Sequence, residues 1–117
     1  MNSENIEFWL YLDHLAAECP IEVDRPKGSS HPRFPEMIYP LDYGFLAGST
    51  TVDGGGVDCW RGTQIEPKVV GAVLSVDLLK RDAEIKLLLG CDEGEIQLIL
   101  NFMNRHQMRA MFLPRDY

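Results

Sequence analysis

Prolines and glycines cut the middle of this chain into short pieces. PKGSSHPRFPE (26–36) holds three prolines, a glycine and two serines, a composition that makes loops and tight turns. MIYPLDYGFLAG (37–48) is aromatic and β-branched but is interrupted by Pro40 and Gly44, which predicts a bent edge strand with bulges. VDGGGVDCW (52–60) then sets Asp53 and Asp58 around three consecutive glycines. An alternating strand avoids such a run, because each glycine loses backbone entropy and packs no side chain.

The flanks read differently. Residues 3–18 predict an amphipathic helix capped by Ser3, with Ile6, Trp9, Leu10, Leu12 and Leu15 on its apolar face and Pro20 as its stop. Short strands are expected at 21–23 and 57–62, and longer ones at 69–79 and 83–90, the last two joined through KRD. From Asp92 the pattern turns helical. Asp92 and Glu95 have capping-box spacing, and Ile96, Ile99, Leu100, Met103 and Met111 recur at helical intervals. The expected class is α+β: one domain over 1–117, residues 1–19 forming an N-terminal helical extension to a small, mostly antiparallel sheet or barrel.

With 18 acids against 11 bases, the net charge of −7 argues against general nucleic-acid binding, which calls for a basic surface. Cys19, Cys59 and Cys91 are odd in number and widely spaced, which predicts reduced thiols and a cytoplasmic protein. The first residues lack the basic segment of a signal peptide, and no apolar run is long enough to span a bilayer.

PKGSSHPRF, YPLDYGF and DGGGVD occur in that order, and together they resemble the soluble family I inorganic pyrophosphatases, in particular a short bacterial branch. The family's hallmarks run as IEIPKGS, YPxNYGF and DGDPxD, and the likeness covers about residues 20–108. It implies a five-stranded OB-like barrel with a helix at each end, and hydrolysis of pyrophosphate, or a related phosphoanhydride, to phosphate. It implies Mg²⁺ as cofactor, with Mn²⁺ as a substitute, and a homo-oligomer. Hard divalent cations suit that chemistry, since they neutralise a dense anion, activate water and favour carboxylate oxygens.

By the same resemblance Asp53 and Asp58 are metal ligands at the catalytic centre, joined by Asp77, Glu84 and Glu22; Asp82 competes with Glu84 for one position. Tyr43 joins the catalytic set. Arg33, Tyr39 and Lys86 are expected to hold the substrate's phosphates. The chain also departs from the pattern. Gly55 stands where the family has its middle aspartate, and Asp42 replaces the asparagine of YPxNYGF. A hairpin is missing, and His106 and Gln107 replace a Tyr-Lys pair. These losses support a second reading, a catalytically impaired phosphate-binding or protein-interaction module. The residues alone leave a third reading open for Asp53, since Asp and Gly build tight turns without any metal.

Overall fold

A computed structural model of the protein describes residues 3–117; the first two residues of the expected extension lie outside the described part. In chain order the elements are α1 (Ser3–Glu18), β1 (Ile21–Arg25), β2 (Asp42–Leu46), β3 (Val57–Arg61), β4 (Val69–Asp77), β5 (Asp82–Leu89), α2 (Glu93–Met103) and β6 (Met108–Pro114). The six strands form one mixed sheet in the order β1-β2-β3-β5-β4-β6. All neighbours pair antiparallel except β3 and β5. The class is α+β as expected, but with six strands where five were implied, and the pairing runs from β1 to β6 without joining those two ends.

The extra strand corrects the reading of the C-terminal helix. α2 begins as predicted: Asp92 accepts from the Glu95 amide, and the Glu95 side chain accepts from the Asp92 amide. It ends at Met103, so Met111 shares no helix with Ile99. Asn104 stops it. Its side-chain amide donates to the Leu100 and Ala110 carbonyls and its oxygen accepts from the Ala110 amide, tying the chain's return to the helix end. The helical spacing of Met111 was a coincidence of apolar residues on two elements. β4 stops at Asp77, two residues early, because its carboxylate accepts from the amides of Leu79 and Lys80 and starts a turn. β2, read as an edge strand, lies between β1 and β3; Pro40 precedes it, and Gly44 within it lets β1 approach closely.

Alternation along the strands separates two cores. Trp60 of β3 and Leu88 of β5 face α2, packing with Tyr39, Val73, Ile99 and Phe102. Their neighbours Cys59 and Leu87 face the other way, under α1, with Leu46, Val69 and Trp9. Burial pushes the Cys59 and Cys91 thiols up to about 12, in keeping with small apolar core residues. Trp9, on the apolar face predicted for this helix, is 3% exposed and serves the core. The large apolar residues that α1 exposes are Phe8, Leu10 and Tyr11, so Leu10 leaves the apolar face assigned to it.

A two-pronged ion pair fixes α1 to the sheet. Arg115, just past β6, donates to both Asp13 carboxylate oxygens at 2.9 Å and to the Val69 carbonyl at 2.8 Å. Asp13→Ala would leave that buried guanidinium with one carbonyl partner. We expect a loss of about 2–3 kcal/mol in urea unfolding, with the urea dependence (m) unchanged; a loss below about 0.5 kcal/mol would mean apolar packing alone holds α1.

Candidate functional site

The sheet face that carries Trp60 continues beyond the end of α2, and period-two spacing loads it with charge. Asp58 precedes Trp60 by two residues on β3. Asp82, Glu84 and Lys86 stand in the same relation on β5, Asp77 ends β4, and Tyr43 on β2 lies directly opposite Trp60. Two connections complete the walls: the 31–34 loop, bringing His31, Arg33 and Phe34, and the 105–107 turn, bringing Arg105 and His106. The result is a cleft of about 740 Å³. It carries five carboxylates (Asp24, Asp58, Asp77, Asp82, Glu84) and five basic groups (Arg25, Arg33, Lys80, Lys86, Arg105), in contrast with the −7 of the whole chain.

Lys86 occupies the centre. It is 6% exposed, and its Nζ lies 2.6 Å from Glu84 Oε2, 2.9 Å from Tyr43 Oη and 3.5 Å from Asp58 Oδ2. Burial disfavours the ammonium, but the Tyr43 oxygen and the Glu84 carboxylate outweigh it and hold the Lys86 pKa above its ordinary value. Burial likewise raises the Tyr43 phenol, and the Asp58 carboxylate pushes it in the same direction. An ammonium has three N–H donors, and these three partners use them. By contrast, the Arg33, Lys80 and Arg105 side chains make no hydrogen bond or ion pair among the described residues.

The other predicted residues divide. Tyr39, Tyr43, Arg33, Asp58, Asp77, Glu84 and Lys86 line the cleft, as does Asp82, so the two candidates for one position are both present. Asp53 and Glu22 do not line it. The Asp53 carboxylate serves its own turn: it accepts from the Thr51 hydroxyl and the Gly55 amide, and the Thr51 hydrogen bond, with the Gly55 amide next, holds its pKa low. Gly55 sits in that same exposed turn. Asp42, in place of asparagine, accepts from the Lys27 amide at 2.8 Å and ties the 26–41 loop to β2.

Sequence reasoning missed Asp24, Arg25, Lys80 and the aromatic wall of Phe34 and Trp60. Asp24 had a signal. The acid of IEIPKGS stands two residues before the proline, and counting back from Pro26 reaches Asp24 rather than Glu22. Among the described residues, no group of three or more His, Cys, Asp or Glu side chains is arranged to hold a metal ion. The donor set therefore does not fit a multi-metal cage, since an ammonium already lies beside both Asp58 and Glu84.

His31 anchors the loop wall. Its Nδ1 accepts from the Arg33 and Phe34 amides at 3.0 and 3.1 Å, and its ring lies parallel to Tyr39 with centroids 6.1 Å apart. Across the mouth, His106 stacks on Phe34 at 3.9 Å and reaches Glu36 at 3.3 Å. Burial, with Lys80 next, lowers the His31 pKa below 6.5, so the folded chain binds this proton less well than the unfolded chain does. The stability it contributes is complete above pH 6.5 and declines below it, as a proton on Nδ1 breaks both amide hydrogen bonds. The stability gap between the parent and His31→Phe should therefore narrow from pH 7.5 to pH 5; a constant gap in paired urea titrations would remove this role.

The sequence matches no established protein family and no curated protein. Solved structures do match the fold. An inorganic pyrophosphatase from Neisseria gonorrhoeae aligns with a TM-score of 0.64 at 16% identity, over 80% of this chain and 80% of that one. One from Thermus thermophilus aligns at 0.57 and 20% identity, over 81% and 80%. One from Helicobacter pylori aligns at 0.55 and 13%, over 80% and 81%. This chain has an inorganic-pyrophosphatase-like fold. At these identities the likeness is one of architecture. No described helix is long and apolar enough to cross a membrane.

Proposed function

We propose that the cleft binds inorganic pyrophosphate, or a related phosphoanhydride, as its magnesium complex and hydrolyses it to phosphate. The observation that carries this reading is the meeting of Arg33, Lys80 and Arg105, whose side chains have no hydrogen-bond or ion-pair partner among the described residues, with Asp77 and Asp82 in one cleft. The pyrophosphatase-like fold supports it. The two guanidinium forks suit phosphate oxygens, which they meet in pairs. Asp77 and Asp82 face each other across the β4–β5 hairpin, and the Asp82 side chain makes no hydrogen bond or ion pair among the described residues. Mg²⁺ or Mn²⁺ enters with the anion as part of the substrate.

Turnover is expected to be slow. The Gly55 turn presents no carboxylate to the cleft, and Asp58 is engaged by Lys86, so neither supplies a free general base. Such a base is typically worth ~10²–10⁴-fold in rate. The same observation favours the second reading, an impaired phosphate-binding module.

Phosphate release from pyrophosphate with Mg²⁺, then Mn²⁺, separates them. We expect metal-dependent release that falls at least ~10²-fold in Asp77→Asn/Asp82→Asn and in Arg33→Ala/Arg105→Ala, the range typical of lost charge stabilisation at a reacting centre. Release equal to those variants, with Trp60 fluorescence still quenched by pyrophosphate, would establish binding without turnover. No release and no quenching would reject both readings.

A further inference from the structure

Two carboxylates that the family resemblance assigns to metal, Asp58 and Glu84, come from different strands and converge on one ammonium. We propose that Lys86 is a built-in cation that fills the place of a divalent ion between Asp58 and Glu84, so this cleft takes one cation fewer than its carboxylates suggest. The reasons are geometric. β3 and β5 pair in parallel with Cys59 opposite Leu87, which sets Asp58 beside Lys86 one residue earlier on each strand. The Nζ lies 2.6 and 3.5 Å from the two carboxylates, and Tyr43 Oη closes its third donor at 2.9 Å. The side chain is 8% exposed, against 38% and 40% for Asp58 and Glu84, so the charge sits beneath the acids rather than among solvent-facing groups.

A buried ammonium flanked by two carboxylates repels a second cation at the distance of a shared ligand. The repulsion is strongest where water is excluded. All three donors are directed at protein oxygens, so Lys86 acts on the anion through charge and by keeping Asp58 and Glu84 in place, and not as a direct phosphate ligand. That changes the expected role of three residues. Asp58 and Glu84 become partners of a lysine, and the carboxylates that remain for a substrate-borne cation are Asp77, Asp82 and Asp24.

Mn²⁺ binding without pyrophosphate, followed by the loss of the free-ion electron paramagnetic resonance signal, tests this. It reads the cation count and is independent of whether the cleft hydrolyses anything. In the otherwise native chain, Asp58→Asn and Glu84→Gln should leave Mn²⁺ stoichiometry and affinity unchanged within twofold. Lys86→Met should gain one Mn²⁺ equivalent, at least tenfold tighter than any parent site, and Lys86→Met/Asp58→Asn should lose that gain. A tenfold weaker Mn²⁺ isotherm in Asp58→Asn or Glu84→Gln, with Lys86 present, would overturn the assignment. So would a folded Lys86→Met variant that binds no additional Mn²⁺. If Lys86→Met folds only when Mn²⁺ is added, the cation exchange is demonstrated by thermal melts; if it does not fold even then, the two single carboxylate variants decide.

Discussion

Trp60→Ala is expected to remove about 3–5 kcal/mol of stability, the range for truncating a fully buried large aromatic. Trp60 is 1% exposed and joins three rings at once: centroids lie 4.8 Å from Tyr43, 5.8 Å from Tyr39 and 5.6 Å from Phe102. Those contacts link β2, β3, α2 and the 26–41 loop, so the void cannot be closed by shifting one element. Marginal stability makes a loss of this size a large fraction of the total. The indole N–H is itself buried and has no acceptor among the described residues. Trp60→Phe therefore gives back an unmet donor while keeping most of the ring area, and its cost should be less than half that of the alanine variant. Urea unfolding of the two variants checks this. An equal loss in both would show that the indole nitrogen has a partner worth more than the packing. The aromatic wall of the cleft goes with the side chain, so pyrophosphate binding, followed by calorimetry, should weaken in the alanine variant even where it folds.

Gly44→Ala is the second large effect. A Cβ at Gly44 would lie 1.9 Å from the Glu22 carbonyl oxygen and 3.0 Å from the Val23 Cα, both main-chain atoms of the neighbouring strand. No rotamer change relieves a clash with backbone. β1 must move away from β2, opening the pairing from Ile21–Leu46 to Arg25–Tyr43. We expect about 3 kcal/mol or more, the upper range for overpacking, and loss of hydrogen-exchange protection in β1 ahead of the other strands. Because β1 carries Asp24 and Arg25 to the cleft, anion affinity should fall with it. Unchanged exchange in β1 would show that the strands accommodate the methyl by sliding rather than parting. The glycine of YPLDYGF is thus explained by strand approach, with no appeal to the chemistry of the site.

The local signals in the sequence were strong where short-range chemistry decides structure. The capping box of Asp92 and Glu95, the helix from Ser3 to Glu18 and the β4–β5 hairpin are settled by neighbours within a few residues; the box and the helix span are found as read, and the hairpin forms with β4 two residues shorter. The three motifs in order also led to a pyrophosphatase-like fold, though with six strands rather than the five implied, since YPLDYGF builds β2 and the segment just before it, and DGGGVD feeds β3. Where a segment pairs was not legible. β2 looked like an edge because Pro40 and Gly44 interrupt it, and β6 was folded into a helix because Met111 fell on a helical interval by chance. Both depend on which distant strand offers hydrogen bonds, a property of the whole sheet.

Which residues share the site is settled the same way. The sequence alone determined that this chain carries acids, tyrosines and basic groups in the order of the pyrophosphatase motifs it resembles, because order and type are written residue by residue. Only the tertiary structure decided that Asp53 stays outside the cleft and that Asp24 enters it. It also placed Lys86 between Asp58 and Glu84. A charge's role depends on what lies within a few ångströms of it, and two of the three Lys86 partners, Asp58 and Tyr43, stand 28 and 43 residues away in the chain.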